Sequence, residues 1–588
     1  MGSIPAKRTW LERLQEAKSL EDLAGLLNFT PSGLAYVLYK TNPSERYRTF
    51  EIPKAAGGTR TIQTPNKRLK LAQRRLADLL YNCLIEIEAR KPDRRGVSHA
   101  FHKKRSIVTN AGQHYGCRYV LNLDLKDFFG TINFGRVRGF FIADSNFRLS
   151  GKLATVIAQI ACHENALPQG APCSPVISNL IGHILDARMI RLARTHGCMY
   201  TRYADDLTFS TNQKKFPWGL ARKRFYFFGK HYVVGHQLEK AIATAGFTVN
   251  PTKTRLQFRG SRQMTTGLTV NEKVNICQDY YRDVRSMCSS LFQTGTYYIN
   301  KDDKAPVQKL APLEGRLAHI YYVKNVTVRR KHKLDHRLVP YQKPHAPKEL
   351  YRRFLFFKYF VGHEVPTIVT EGKTDIVYLR TALKALHAKY SDLVTIDDKD
   401  EASLAIQFLP ATANNIAILN LGQGYSGMSG QIPRYSRDLK RYGFRPLNHP
   451  VIFMVDNDEG GKNVIKAGES LTSTKFDQSK GDRFFPVTEN LYIVPTPLDA
   501  SGEPTAIEDC FPQDVLDQEL EGKKLNRKKN DGDSSSYGKH IFAEKIVRPG
   551  VKTINFSGFE PLLDGVSQAI SHYQRKLLAK EVAAKKSA

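Results

Sequence analysis

Two groups of acidic residues have the types and spacing for metal-assisted phosphoryl chemistry. In the first, YTRYADDLTFS at 200–210 sets the adjacent carboxylates Asp205 and Asp206 between apolar stretches that read as the strands of a hairpin. Adjacent acids at a hairpin tip repel each other unless cations neutralise them. Asp124, which closes the short apolar strand RYVLNLD, is a third acid of the same kind. Together they could bind two Mg²⁺ ions about 3.5–4 Å apart, an arrangement suited to in-line phosphoryl transfer. An isolated Asp-Asp pair has a plainer alternative, a solvated turn.

The second group opens with Ile368-Val369-Thr370-Glu371-Gly372-Lys373-Thr374-Asp375, an apolar strand ending in a glutamate, a glycine for a tight turn, and an acid four residues on. Further along, Phe453-Met454-Val455-Asp456-Asn457-Asp458-Glu459-Gly460-Gly461 places Asp456 and Asp458 at i and i+2, on one face of an extended strand end. The plainer reading here is a polar loop or an adventitious cation site.

The elements that must position these acids follow from periodicity. Residues 1–50 read as short amphipathic helices, with a start signal at Thr30-Pro31-Ser32. RLKLAQRRLADLLYNCLIEIEAR at 68–90 predicts a long helix with a basic face. Helices and strands alternate from Arg118 to about residue 275, and 280–360 is helical and rich in Arg, Lys and Tyr. Beyond His363, PTIVTEG, IAILNLG and VIFMVDND read as short buried strands of a parallel α/β sheet, whose active sites lie at strand C-termini. Residues 523–536 read as a polar loop, and the terminal EVAAKKSA is expected to fray.

Charge separates the chain into two functional parts. The whole carries +33 over 588 residues, yet residues 361–588 hold 29 basic and 30 acidic side chains, leaving 60 and 26 in residues 1–360. The first part is built to hold a polyanion, nucleic acid being the first candidate; the second meets its substrate through a local site. Eight cysteines without a C-x-x-C pair support neither a zinc ribbon nor a disulfide frame. With no apolar signal core and no long apolar run, the expectation is a cytoplasmic protein with no membrane association.

Tyr203-Ala204-Asp205-Asp206 resembles the catalytic motif of reverse transcriptases, and further blocks follow in that family's order. Leu123-Asp124-Leu125-Lys126-Asp127-Phe128-Phe129 resembles the first palm motif, and Leu167-Pro168-Gln169-Gly170-Ala171-Pro172-Cys173-Ser174-Pro175 the block against template and incoming nucleotide. Gly246-Phe247 through Asn250-Pro251-Thr252-Lys253-Thr254 resembles the next palm element. The resemblance covers roughly residues 20–320. It implies that Asp124 and Asp205 bridge two Mg²⁺ ions, that Asp206 supports them, and that the Leu125 carbonyl completes a coordination shell. It places Phe129 where a ribose 2′-OH would have to pass, and Gln169 and Gly170 against the template pair. Lys54, Arg60, Lys103, Lys104, Arg105 and Lys253 are the implied holders of triphosphate and template phosphates.

Asn110-Ala111-Gly112-Gln113-His114 resembles the Asn-Ala-x-x-His element of bacterial retron enzymes, and Thr265-Thr266-Gly267-Leu268-Thr269-Val270-Asn271 their Val-Thr-Gly element, with Thr265 in place of Val. Asn110, His114, Thr266 and Gly267 are therefore expected to recognise the retron RNA. A retron enzyme would recognise its own structured non-coding RNA, prime from a guanosine 2′-OH, and build from dNTPs a single-stranded DNA that stays linked to RNA. The basic, tyrosine-rich 280–360 stretch suits a thumb that grips RNA by phosphate contact and base stacking.

Glu371-Gly372 followed by Asp456-x-Asp458 resembles the Toprim domain of topoisomerases, primases and OLD-family nucleases, with Gly422 and Gly424 after IAILNL on the intervening strand. That resemblance implies one or two Mg²⁺ on Asp456 and Asp458, and Glu371 as a further ligand or general acid/base. Asp375, Glu508, Ser535 and Lys539 would be additional site residues. No gate domain with a nucleophilic tyrosine and no zinc module is recognisable, which leaves a nuclease acting on DNA or RNA.

The expected architecture is multidomain. An α+β right-hand polymerase has fingers and palm at 1–275 and a basic helical thumb and connection at 276–362. An α/β Toprim domain with a mainly parallel sheet follows at 363–588. The implied function is a retron polymerase fused to an antiphage nuclease effector restrained by its RNA–DNA product. An intron-type reverse transcriptase with a DNA-processing Toprim domain, a Toprim fold serving only as a DNA-binding scaffold, and a homo-oligomer all remain open.

Overall fold

Three short helices open the chain, each behind a side-chain cap: Thr9 before Trp10–Glu16, Ser19 before Leu20–Leu26 and Thr30 before Pro31–Ala35. In each, the hydroxyl oxygen accepts a backbone N–H that the first turn leaves without a partner. The structure, a computed structural model, describes residues 8–54, 57–90, 97–226, 229–300, 303–334, 346–398, 401–422, 425–499, 501–527 and 536–587. It divides into one unit of Met1–Cys277 with Val323–His336 and another of Gln278–Tyr322 with Arg337–Ala588.

In the first unit, β1 (Tyr47–Pro53) and β2 (Thr59–Pro65) form an antiparallel hairpin. The Lys67–Arg90 helix buries Leu69, Ala72, Leu76, Leu79, Leu80 and Cys83, the stripe expected of its spacing. A four-stranded antiparallel sheet follows, built from β3 (Tyr119–Asp124), β4 (Met199–Tyr203), β5 (Asp206–Thr211) and a later strand. Between the last two come β6 (Ala221–Tyr226) and β7 (Gly229–Val234), a separate hairpin. The fourth sheet strand is β8 (Arg255–Phe258), giving the order β4-β5-β3-β8. β9 (Met264–Thr265) and β10 (Leu268–Thr269) close a two-residue turn in which Thr266 and Gly267 both take positive φ, 48° and 80°. Both signs suit the tight turn of a twisted hairpin.

Alternation along β5 explains how its sheet is used. Leu207 and Phe209 enter the apolar core, while Thr208 and Ser210, equally buried, carry the opposite face. That second face is satisfied by side chains: Thr208 donates to Asn122 across the ladder at 3.1 Å.

The second unit is organised around β11 (Thr367–Val369). The antiparallel hairpin of β12 (Val394–Ile396) and β13 (Ala402–Leu404) precedes β14 (Gln407–Phe408), and β15 (Val451–Val455), β16 (Phe485–Thr488) and β17 (Leu491–Pro495) complete the set. The five-stranded sheet has the order β14-β11-β15-β17-β16, parallel except for β16. β11, β15 and β17 are buried at every position, which is why they read as unbroken apolar runs rather than alternating ones.

Three expectations change. IAILNL is not a strand: Ala413–Leu419 is a helix, capped by Thr412 and ended by Asn420 at φ 56°. A short apolar run has no periodicity that separates helix from strand, and the cap decided it. The tail is not frayed but the end of the Glu560–Ser587 helix. At the edges of 523–536, Lys524–Leu525 pairs in parallel with Ser536–Tyr537, while 528–535 lie outside the described residues.

Helices Gln278–Thr294 and Ala346–Phe356 belong to the second unit, fixed there by aromatic packing. Phe292 meets Tyr442 at 5.2 Å between ring centroids, the Arg353 guanidinium lies 4.8 Å over Phe292, and Phe356 stacks on Phe360 at 4.8 Å. Many aromatics expected to stack on RNA are thus core residues, whereas Tyr298 and Tyr322 are exposed. Among the described residues no helix is long and apolar enough to cross a membrane. All eight cysteines are free.

Candidate active sites

β3 and β5 run antiparallel with Asp124 directly opposite Asp206. Opposed residues share a face of the sheet, so these carboxylates stand side by side at its end. Asp205 sits in the two-residue turn that joins β4 to β5, beside Ala204, whose φ of 56° is left-handed. That conformation costs a residue with a Cβ about 1–2 kcal/mol. It is held from behind by Arg202: Nη1 donates to the Ala204 carbonyl at 3.2 Å, while Nε and Nη2 each donate to the Asp186 carboxylate at 2.8 Å.

The first palm motif is tied to the same turn. The Leu125 N–H donates to the Asp205 carbonyl at 3.0 Å, and the Asn250 N–H to the Asp124 carbonyl at 2.7 Å. Lys253 Nζ donates to Asp124 Oδ1 at 2.8 Å and Asn250 Nδ2 to Oδ2 at 3.2 Å. Burial, then the neighbouring Asp205 and Asp124, push Asp206 up to about 7. Burial also raises Asp205, with Asp124 adding to the shift and Lys253 and Arg60 opposing it. These shifts mark a cluster of hard oxygen donors short of positive charge, the chemistry that suits Mg²⁺. Among the described residues no three His, Cys, Asp or Glu side chains already converge as a cation cage. In the palm, Lys253 rests on Asp124 instead.

The surrounding candidates fall into distinct positions. Gly170 has φ 120°, and a Cβ there would lie 2.9 Å from the Gln63 carbonyl on β2. The Gln63 N–H donates to the Gln169 carbonyl at 2.8 Å, fixing this block against the hairpin that carries exposed Arg60 and leads to exposed Lys54. Lys103 and Lys104 are exposed, but the Arg105 guanidinium turns inward to the Ser98 carbonyl and lies 3.7 Å from Glu88. Phe129 is partly buried, 5.4 Å from Phe128 and 6.4 Å from Phe101 between ring centroids.

In the second unit, Glu371 and Asp456 follow the neighbouring parallel strands β11 and β15. The Asp456 N–H donates to Glu371 Oε1 at 3.3 Å, and Asp456 Oδ1 accepts the Ile507 N–H at 2.9 Å. Buried Glu508 accepts a hydrogen bond from Lys539 Nζ at 3.0 Å through Oε2, completing an ion pair with that lysine. Asp375 and Asp458 cap helices, accepting the N–H groups of Gly372 at 2.7 Å and Gly461 at 2.9 Å. Burial, then Asp458 and Asp375, raise Glu371 to about 7 against the Asp456 N–H. Burial, then Asp375 and Glu371, raise Asp456 to about 8. Burial raises Glu508 despite its lysine. Burial acts downward on Lys539, yet Glu508 and the nearby aspartates leave its ammonium above the ordinary value. Ser535 and Gly424 lie outside the described residues.

Comparison with known proteins bears on the first unit. The model for the reverse transcriptase (RNA-dependent DNA polymerase) family matches residues 52–277. The retron Ec86 reverse transcriptase of Escherichia coli is 32% identical over 275 residues, which cover 47% of this chain and 78% of that one. The chain belongs to the retron reverse transcriptases. The retron Mx65 reverse transcriptase of Myxococcus xanthus is 37% identical over 287 residues, 45% of this chain. The chain spans 61% of that relative's length. A solved apo telomerase from Candida tropicalis overlays with a TM-score of 0.27 at 13% identity, covering 42% of this chain and 61% of that one.

The two blocks that mark retron enzymes meet in the fold. The Ile107–Ala111 helix packs on the β9–β10 turn, where Thr266 Oγ1 donates to the Ile107 carbonyl at 3.2 Å. His114 is fully buried and hydrogen-bonds Ser210 and Thr201, on β5 and β4, at 2.7 Å each. Burial lowers it to about 3, so it is neutral. The Asn110 amide is buried without a hydrogen-bond partner among the described residues, as is the Thr265 hydroxyl. Direct RNA contact by Asn110 and His114 does not fit this burial; His114 braces the hairpin that carries Asp205, whereas Gly267 is exposed. Arg202 and Asp186 escaped the sequence reading. The available signal was a cation in β4 between residues headed for the core.

Proposed function

We propose that this chain is an RNA-directed DNA polymerase that copies part of a cognate structured RNA, from dNTPs, into a single-stranded DNA left joined to that RNA. The observation that carries the reading is the facing of Asp124 and Asp206 across β3 and β5, with Asp205 in the adjoining turn, in a retron family member. Asp124 and Asp205, with Leu125 beside them, would hold Mg²⁺. The ions, when bound, would polarise the reacting phosphate and stabilise the attacking and leaving oxygens. The protein's own part is positional: Arg202 fixes the turn, Asn250 and Lys253 orient Asp124, and Gly170 lets the template block lie close to β2. Phe129 would exclude ribonucleotides by bulk. Family membership favours the retron reading over the intron-type one.

The same proposal gives the second unit a Toprim-type nuclease site, with Glu371, Asp456 and Asp458 on Mg²⁺ and Lys539 beside the substrate phosphate. Support comes from two strand-end acids on adjacent parallel strands, both raised by burial, Glu371 further by Asp458 and Asp375 and Asp456 further by Asp375 and Glu371. The nuclease would be an antiphage effector restrained by the RNA–DNA product. Phage challenge of cells carrying Glu371→Ala tests this: DNA is still made and toxicity disappears, whereas full toxicity in that variant contradicts it. Sequencing the nucleic acid that co-purifies with the chain tests the RNA, the DNA and their branch together.

A further inference from the structure

The palm sheet has a second end. β3 runs from Tyr119 to Asp124, so its start lies five residue steps, about 17 Å, from Asp124. At that end Tyr119 pairs with Phe258 of β8 and Thr211 of β5. The Arg259 N–H donates to the Arg118 carbonyl at 3.0 Å, which sets the backbones of two exposed arginines side by side. The Tyr119 hydroxyl donates to the Lys214 carbonyl at 3.0 Å, and Lys215 follows in the same exposed loop. Among the described residues none of these four cations has an ion-pair partner.

The loop continues to Trp218, which is 77% exposed and has no ring or cation stacked on it among the described residues. Its backbone is nevertheless firmly held. Phe216 packs on Tyr119 at 5.8 Å between ring centroids, the Pro217 carbonyl accepts the N–H groups of Leu220 and Ala221, and the Gly219 carbonyl accepts that of Leu238 at 3.2 Å. An indole left in water forgoes the burial that a packed tryptophan gains. An uncovered ring on a fixed turn, beside four unpaired cations, has nucleic acid as its complement: phosphates answer the cations, and an unstacked base covers the ring.

We infer that this end of the palm sheet is a hold-fast for the structured RNA, with phosphates on Arg118, Arg259, Lys214 and Lys215 and one unpaired loop base on Trp218. The inference rests on the polymerase reading and gives its RNA a surface outside the active site. A separation of about 17 Å along β3 keeps the patch clear of the reacting template pair, so its occupant is a part of the RNA that is held rather than copied. RNA is the occupant because it is present before the first nucleotide is added, whereas the DNA strand exists only afterwards. Structured RNA also offers what the patch takes, since hairpin loops splay bases outward beside stems of closely spaced phosphates.

The chain has two tryptophans, Trp10 and Trp218, so Trp10→Phe leaves Trp218 as the sole indole reporter. The full Trp10→Phe chain is purified with its nucleic acid, and its emission is followed through ribonuclease and, separately, deoxyribonuclease treatment. A stacked base quenches indole emission, so ribonuclease is expected to raise it and deoxyribonuclease to leave it unchanged. Rebinding of the extracted RNA is then measured by filter retention over a salt series. Trp218→Ala is expected to weaken binding about tenfold while Trp218→Phe retains most of it, and Arg118→Gln with Arg259→Gln to lower the slope of log affinity against log salt by about 1.5. Recovery of emission with deoxyribonuclease instead, emission that neither nuclease changes, as a protein partner on the ring would give, or affinity indifferent to the substitutions overturns the inference. Primer extension by the parent on poly(rA)·oligo(dT) separates the two readings. No extension with the ribonuclease response intact removes the polymerase reading and leaves the surface standing, and extension without that response removes the surface alone.

Discussion

Arg202 grips Asp186 through two parallel hydrogen bonds, Nε to Oδ1 and Nη2 to Oδ2, both 2.8 Å long, with both side chains withdrawn from solvent. Tyr200 adds its hydroxyl to the same carboxylate at 2.9 Å. One guanidinium therefore joins a core helix to the carbonyl of the strained residue beside Asp205.

Breaking that pair should be costly and should reach the active site. Arg202→Met leaves a buried carboxylate without its counter-charge, a loss of about 3–5 kcal/mol, readable as a lower denaturant midpoint. Arg202→Met with Asp186→Leu should recover much of that stability without recovering DNA synthesis, because the Ala204 carbonyl still lacks its clasp. Gly182→Ala should act in the same direction, since a Cβ there would lie 2.8 Å from Arg202 Nη2. Full synthesis by the stabilised double variant would show that the turn needs no such brace.

Thr265→Val should stabilise the protein. The Thr265 hydroxyl is buried without a hydrogen-bond partner among the described residues, and removing such a group from a site of matching shape gains about 1 kcal/mol. Val is also the residue of the motif that Thr265-Thr266-Gly267 resembles. A higher melting temperature with unchanged DNA synthesis is the expected result, measured by calorimetry and primer extension on one preparation.

The second acidic site should make metal-free stability fall as pH rises. Glu371 and Asp456 reach about 7 and about 8 in the folded chain, against about 4 for exposed carboxylates. Between those limits the folded state binds more protons than the unfolded one, so the stabilisation is complete below about pH 4 and lost as pH climbs through 7 to 8. Thermal unfolding in chelator from pH 5 to 9 should show that decline for the second unit. Asp456→Asn should flatten it, and added Mg²⁺ should restore stability at the alkaline end.

Much of both sites was legible because strand ends and acids are local signals. The alternation before Asp124, the apolar flanks of Asp205-Asp206 and the unbroken run before Asp456 fixed their places at the ends of β3, β5 and β15. What escaped depends on partners distant in sequence. Arg202 looks like any basic residue until Asp186 of the Ser174–Thr195 helix packs beneath it. The aromatics of 351–361 look suited to RNA until Tyr435 and Tyr442 bury them. IAILNL was ambiguous in itself, and a single threonine cap settled it as a helix.

The central claim is that Asp124, Asp205 and Asp206 make this chain an RNA-directed DNA polymerase independently of its second acidic site. The direct measurement is Mg²⁺-dependent incorporation of dNTPs on an RNA template by purified chain, compared between the parent, Asp205→Asn with Asp206→Asn, and Glu371→Ala. The account predicts synthesis by the parent and by Glu371→Ala, and a loss of at least about a hundredfold in the double aspartate variant. Synthesis that survives the loss of both aspartates, or that fails with Glu371 alone, would contradict it.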